Sequence, residues 1–195
     1  TDSGIIDLKD LKEKSKNASA LLMTSFAGYF AEQPLQEISE ICKSNNCLLI
    51  EDASGSVTDS ILCNGKYSDI IIGSFGKWKV INLGYGGFIS TDSGFKDIED
   101  LSDITRLHPN TCKEIYPLLN NRRLNKLLRI QQEVKDNLKN FKIFHADKRG
   151  LNVVAEHNDK VIEYCKKNNY QYLICPNYIR INKKAISIEL KRLKQ

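Results

Sequence analysis

Short apolar runs alternate with amphipathic helical patterns over the first half of the chain. Four of these runs have the length and composition of buried strands, at residues 20–24, 47–50, 69–75 and 87–91. Between the first two runs, Pro34 opens a helix in which Leu35, Ile38 and Ile41 recur at helical spacing. Strands that alternate with helices form βαβ units. The pattern therefore predicts an α/β fold, with a mostly parallel sheet and helices that flank it.

The pattern changes near Phe95, where helical segments become longer. Helices are predicted at residues 97–107 and 122–138. Further apolar segments and one more helix follow, at residues 141–144, 151–154, 158–167, 172–175, 178–181 and 185–188. We interpret the tail as a small α+β domain. The expected division is a partial large domain at residues 1–107, a connecting helical segment at 108–140 and the small α+β domain at 141–195.

Composition places the chain among globular proteins, because 41% hydrophobic and 27% charged residues make too apolar a mixture for a disordered chain. The apolar runs are too short to span a membrane, and residues 1–4 lack the features of a signal peptide. The six cysteines form no C-x-x-C pair and have no histidine at metal-ligand spacing, so we expect no zinc site. Thiols inside apolar runs fit a reducing compartment, and we expect a cytoplasmic protein.

Charge changes this picture only slightly. The net charge of +5 reflects 29 Lys and Arg against 24 Asp and Glu, and the excess is clearest at residues 122–142 and 183–194. Both stretches resemble ordinary amphipathic elements, so solvated faces are the first interpretation. The alternative is an α/β module that binds an anionic partner. Nucleic acid, a minor possibility, would then bind in a strongly salt-dependent way.

Three segments of the first half carry candidate chemistry: Glu51-Asp52-Ala53-Ser54-Gly55, Gly73-Ser74-Phe75-Gly76-Lys77-Trp78-Lys79 and Leu83-Gly84-Tyr85-Gly86-Gly87. Each is a weak signal alone. An aspartate at a strand end is often a helix cap, a loop lysine is usually solvated, and Lys77 competes with Lys79. No helical pattern follows the glycines, so a dinucleotide fingerprint is rejected.

In this order, the segments resemble the sugar aminotransferases of DegT and StrS type, which have the PLP enzyme fold type I, and the resemblance covers roughly residues 1–95. In that family a strand ends in Glu-Asp-Ala and a later strand in Ser-Phe. A lysine follows five residues after the serine, and Gly-x-Gly-Gly comes next. The resemblance implies pyridoxal 5'-phosphate (PLP) as cofactor, with Asp52 at its ring nitrogen, Ser74 at its phosphate and Lys79 joined to it as a Schiff base.

The chemistry explains these residue types. A carboxylate beside the ring nitrogen keeps the ring protonated, so that it accepts the electrons left when a substrate's α-proton departs. A lysine amine attacks the cofactor aldehyde and then moves that proton. Glycines at 84, 86 and 87 let the backbone turn tightly before it re-enters the sheet.

An earlier segment, residues 23–31, also resembles the family's stretch before the cofactor aspartate. Ser25 takes the place of the family's histidine there, and Gly55 that of its glutamine after Glu-Asp-Ala. By resemblance both positions belong to the cofactor site. Arg180 and Tyr85 are candidates for substrate binding. The amino-terminal part of family members, with a phosphate-binding Gly-Thr turn and a ring that stacks on the cofactor, is expected to lie outside this sequence.

The resemblance implies amino transfer from an amino acid, with glutamate expected, to a keto substrate, for which a nucleotide-linked keto sugar is a candidate. It also implies a homodimer. Two other functions stay open: a non-catalytic regulatory or assembly protein on the same scaffold, and the anion-binding α/β module. The three histidines have no serine, cysteine or acid constellation near them in sequence, which favours surface or capping roles.

Overall fold

The computed structural model describes residues 3–92, 109–176 and 181–194. Its α-helices are α1 (Leu8–Lys14), α2 (Leu35–Ser44), α3 (Pro109–Ile115), α4 (Arg122–Asn137) and α5 (Asp159–Lys167). Its strands are β1 (Ala20–Thr24), β2 (Phe26–Ala27), β3 (Ala31–Glu32), β4 (Leu48–Asp52), β5 (Ile70–Ser74), β6 (Gly87–Thr91), β7 (Val153–Glu156), β8 (Tyr172–Cys175) and β9 (Ala185–Ile188).

The main sheet has the strand order β1-β4-β5-β6. Strands β1, β4 and β5 run parallel, whereas β6 runs antiparallel to β5. The predicted α/β fold with a mostly parallel sheet and flanking helices is confirmed. Because β1, β4 and β5 are parallel, their carboxyl ends meet at one edge of the sheet, where sites of such folds lie.

The two faces of this sheet have different surroundings. On one face, Met23 and Leu49 pack in a core with Ile38 of α2. On the other face, Leu22 is 62% exposed. Side chains alternate along a strand, and the register with β1 therefore puts Asp52 on this second, more open face.

Helix α4 packs against both halves of the molecule. Leu124 and Leu127 belong to the core of the main sheet, and Val134 belongs to the core of the second half. That second half is a three-stranded antiparallel sheet of order β7-β9-β8 together with α5. The expected small α+β domain is therefore present.

Most of the predicted elements appear within a few residues of their expected bounds. The apolar segment 141–144 forms a single bridge, between Ile143 and Ala155, and no regular strand. The helix predicted at 97–107 lies outside the described residues, as does most of the segment 178–181. None of the helices in the described ranges is long and apolar enough to cross a bilayer.

Candidate functional site

The carboxyl edge of the main sheet brings Asp52 next to Thr24, its register partner on β1. Asp52 is half-buried, and its Oδ1 accepts a hydrogen bond of 2.9 Å from the backbone N–H of Ser54. Its second carboxylate oxygen accepts no hydrogen bond from any residue that the structure describes. One acceptor of this carboxylate is thus open to a donor from a ligand.

A chain of hydrogen bonds joins Asp52 to Ser74 at the end of β5. Ser54 Oγ accepts from the backbone N–H of Ser74 at 2.9 Å, and Ser74 Oγ accepts from the N–H of Gly76 at 3.1 Å. Among the described residues, none accepts the hydroxyl hydrogen of Ser74, so this hydroxyl has a donor to offer. The ends of β4 and β5 are therefore fixed to each other.

The loop after β5 turns its two lysines in different directions. Lys79 is half-buried, and its Nζ donates a hydrogen bond to the hydroxyl of Tyr29. Lys77 is exposed, and its Nζ lies over the ring of Trp78, 4.8 Å from the ring centroid. Trp78 has a φ of 66°, in the left-handed region, between these two lysines. Of these two lysines, Lys79 is therefore the one that contacts Tyr29.

The phenol ring of Tyr29 lies between Gly55 and the amine of Lys79. A Cβ placed on Gly55 would be 3.2 Å from two carbons of this ring. The Nζ atoms of Lys79 and Lys191 are 5.0 and 3.6 Å from its centroid. Beside Asp52 the structure leaves a cavity of about 10 Å³, at the limit for a single water molecule. We call Tyr29, Asp52, Ser74 and Lys79 the lysine site.

Sequence reasoning missed Tyr29, Lys191 and Arg123. Arg123, at the start of α4, donates from Nε to the backbone oxygen of Lys79 and from Nη2 to that of Lys191, both at 3.3 Å. Burial lowers the pKa of the Arg123 guanidinium. A basic residue in the first turn of a helix is unfavourable for the helix dipole, and this was the signal available in the sequence.

Ser25 belongs to a different set of contacts. It is fully buried, and its hydroxyl donates to Oε1 of Glu51 at 2.6 Å. Ser68 donates to Oε2 of Glu51 at 2.7 Å, and the hydroxyls of Ser56 and Ser25 are 2.9 Å apart. We call Glu51, Ser25, Ser56 and Ser68 the hydroxyl cluster. In this structure the Ser25 hydroxyl is engaged with Glu51.

Of the two candidates for substrate binding, the structure describes Tyr85. Tyr85 is 50% exposed, and its hydroxyl donates to Oε2 of Glu114 in α3 at 2.7 Å. Its neighbours Gly84 and Gly86 have φ values of 89° and 79°, which glycine adopts without strain. Arg180 lies outside the described residues.

Two protein families match the sequence. Residues 1–110 match the DegT/DnrJ/EryC1/StrS aminotransferase family. Residues 121–195 match the MJ1341 family C-terminal domain. The boundary between the matches falls just before α4, the helix that packs against both cores. No curated protein matches the sequence.

Solved structures share the fold at low sequence identity. Serine palmitoyltransferase from S. paucimobilis, with a bound PLP–myriocin aldimine, is 12% identical with a TM-score of 0.67, over 93% of this chain and 53% of that one. The apo cysteine desulfurase from Thermococcus onnurineus NA1 is 14% identical with a TM-score of 0.55, over 96% and 59%. The NifS-like protein from Rickettsia africae ESF-5 is 14% identical with a TM-score of 0.65, over 100% and 64%. The chain thus spans between about half and two thirds of the length of these proteins.

Proposed function

This chain belongs to the DegT/DnrJ/EryC1/StrS aminotransferase family, and on that premise we propose that it binds PLP at the lysine site and transfers amino groups. Its fold is that of the PLP-dependent fold type I enzymes. Lys79 is the proposed catalytic residue, and Asp52 and Ser74 are the proposed cofactor ligands. The activity, substrates and partners of the whole protein are part of this proposal.

The convergence of three separate chain segments is the observation that carries the proposal. Asp52 and Ser74 are joined through Ser54, and the ring of Tyr29 links the segment of Gly55 to the amine of Lys79. Asp52 and Tyr29 thus line one cavity, the amine of Lys79 bonds the Tyr29 hydroxyl, and the backbone of Ser74 bonds Ser54 beside Asp52. Lys77, the competing lysine, makes no such contact in the described part of the chain.

The donor set suits PLP, which presents a ring nitrogen, a phosphate and an aldehyde. The open oxygen of Asp52 suits a protonated ring nitrogen, the hydroxyl of Ser74 suits a phosphate oxygen, and the amine of Lys79 suits an aldehyde. The volume is suitable only when the Tyr29 ring has moved, because the cavity that remains holds about one water. Gly55 lines this volume, whereas Ser25 would act through Glu51.

Each residue then has a definable task. When bound, PLP supplies an aldehyde that condenses with an amine and releases water, and a ring that takes up the electron pair left by a departing proton. Asp52 would hold a proton on the ring nitrogen. Lys79 Nζ would accept the proton from the α-carbon of the amino donor and return it to the carbon that belonged to the cofactor's aldehyde. Ser74 orients the phosphate through its free hydroxyl hydrogen.

The substrates are proposed from the family alone. The donor is an amino acid, for which we propose glutamate, and the acceptor is a keto compound, for which we propose a nucleotide-linked sugar. Tyr85 and Arg180 remain the proposed substrate residues. A homodimer is the proposed assembly.

The alternative is a non-catalytic regulatory or assembly protein on the same scaffold. The observation that favours it is the Tyr29 ring, which fills the gap beside Asp52 and bonds the amine that the reaction needs. This alternative predicts that neither the wild-type protein nor a protein without this ring bonds PLP at Lys79.

The test is to add PLP, reduce the product with borohydride and map the modified lysine by peptide mass spectrometry. We expect a visible absorption band and modification of Lys79. Lys79→Ala should remove both, and Lys77→Ala, the matched control two residues away, should keep both. The proposal is wrong if Lys79 stays unmodified at saturating PLP in both the wild-type protein and a protein in which Tyr29 is truncated.

A further inference from the structure

Tyr29 lies at the tip of a hairpin between β2 and β3 in a backbone conformation that suits glycine. Gly28 and Tyr29 have φ values of 51° and 67°, and the N–H of Phe30 bonds the oxygen of Ala27 at 2.9 Å across them. Positive φ at both central residues defines a turn in which Gly, Asn and Asp are preferred. A tyrosine in this position is unfavourable locally and must be stabilised by its surroundings.

The second half of the chain supplies part of that stabilisation. The backbone oxygen of Tyr29 accepts hydrogen bonds from the N–H groups of Leu151 and Asn152, at 2.7 and 2.9 Å. Lys191 is 7% exposed, and its ammonium group lies 3.6 Å from the centroid of the Tyr29 ring. A cation over the face of an aromatic ring is an attractive contact, and a stronger one when it is shielded from water. The second half of the chain therefore contacts both the backbone and the ring of Tyr29 at the hairpin tip.

On the other side, the ring fits against Gly55. A side chain at position 55 would begin with a Cβ only 3.2 Å from ring carbons Cδ1 and Cε1 of Tyr29. The absence of a side chain at position 55 thus leaves the space that the ring fills. The Tyr29 hydroxyl meanwhile accepts the hydrogen bond of Lys79, so that the phenol reaches the amine as well.

We propose that the Tyr29 ring occupies the place of the cofactor ring, so that Tyr29 and PLP exclude each other from the lysine site. This inference rests on the proposed function. PLP carries its aldehyde and its ring nitrogen at opposite ends of the ring, so a molecule bonded to Lys79 and paired with Asp52 crosses the volume beside Gly55. That volume contains the phenol. Tyr29 thereby limits loading of the site and shields the Lys79 amine until the ring moves away.

The first experiment is a PLP titration of four proteins: wild type, Tyr29→Gly, Tyr29→Phe and Tyr116→Ala. Glycine suits the φ of position 29 and removes the ring, so we expect PLP to bind Tyr29→Gly at least about tenfold more tightly. Tyr29→Phe keeps the ring and should stay within about threefold of wild type, since only the hydroxyl contact is lost. Tyr116 is 80% exposed, and its replacement should leave the affinity unchanged.

The second experiment does not depend on PLP. Lysine acetylation by acetic anhydride, followed by mass spectrometry, should modify Lys79 faster in Tyr29→Gly than in wild type and Lys77 equally in both. Circular dichroism checks that each variant is folded. Equal or weaker PLP binding by folded Tyr29→Gly would overturn the inference and leave the proposed function standing. If no protein bonds PLP at Lys79, the proposed function fails and the inference fails with it, whatever the acetylation shows.

Discussion

Glu51 and Asp52 are consecutive carboxylates of β4, and they lie on opposite faces of the main sheet with opposite surroundings. Glu51 is 1% exposed, and the hydroxyls of Ser25 and Ser68 and the N–H of Cys63 donate to its two oxygens. The carboxylate of Asp52 accepts a single N–H, from Ser54, among the described residues. The hydroxyl cluster is thus complete without a ligand, whereas the lysine site is not.

This difference distinguishes a carboxylate that stabilises the fold from one that can bind a ligand. A buried carboxylate whose two oxygens both accept hydrogen bonds contributes to stability, because loss of a partner leaves an unpaired group away from water. A half-buried carboxylate with an open oxygen contributes little to stability and retains the capacity to bind. Tyr29 of the lysine site and Trp78, which precedes Lys79 in the chain, have positive φ, and backbone of this kind is typical of functional sites.

The largest expected effect comes from neutralising each carboxylate in turn. Glu51→Gln should lower the free energy of unfolding by about 2 kcal/mol, since it removes the charge that three donors share. Asp52→Asn should change it by less than about 0.5 kcal/mol. Urea unfolding measures both values. PLP titration should give the reverse ranking, with weaker binding only for Asp52→Asn.

Equal losses of stability in the two variants would contradict the comparison. So would a loss of PLP affinity in folded Glu51→Gln, because Glu51 makes its contacts on the face that packs against α2. The two substitutions have the same size and the same charge change and are one residue apart, so each is the control for the other.

An intermediate effect is expected for Ser25, which by resemblance belongs to the cofactor site. Ser25→Ala removes a 2.6 Å donor to a buried carboxylate and should lower the free energy of unfolding by about 1.5 kcal/mol. Its PLP affinity should stay within about twofold of wild type, whereas Ser74→Ala should lose about tenfold. A larger effect of Ser25→Ala on PLP binding than on unfolding would place Ser25 in the lysine site.

Short segments of sequence were enough to predict the strands of the main sheet and the family. The alternation of apolar runs predicted β1, β4, β5 and β6 to within about two residues, because buried strands must be apolar whatever their neighbours are. The order of Glu-Asp-Ala, Ser-Phe and Lys79 at and after the ends of β4 and β5 predicted the family, which is confirmed. These are properties that a short window of sequence contains.

Contacts between distant segments were not predictable in this way. Tyr29 and Lys79 are 50 residues apart in the chain, and the local sequence around either residue does not predict their contact. Lys191 lies in a basic stretch that looks solvated, yet it is buried over an aromatic ring of the other half of the molecule. Glu51 and Asp52 stand in the same candidate segment of the sequence. The strand period of two nevertheless places their side chains on opposite faces of the sheet.

The smallest effect concerns Cys63, whose N–H donates to Glu51. Burial, with the nearby Glu51 charge, raises the pKa of the Cys63 thiol to about 11. Iodoacetamide should therefore alkylate Cys63 with a midpoint near that pH, well above the ordinary thiol value of about 8.5, and the exposed Cys112 serves as the accessible reference thiol. Since the folded state raises this pKa, the stabilisation present below pH 8.5 should be lost as pH rises towards 11. Alkylation of Cys63 as fast as Cys112 at pH 8.5 would mean that the hydroxyl cluster is open to solvent.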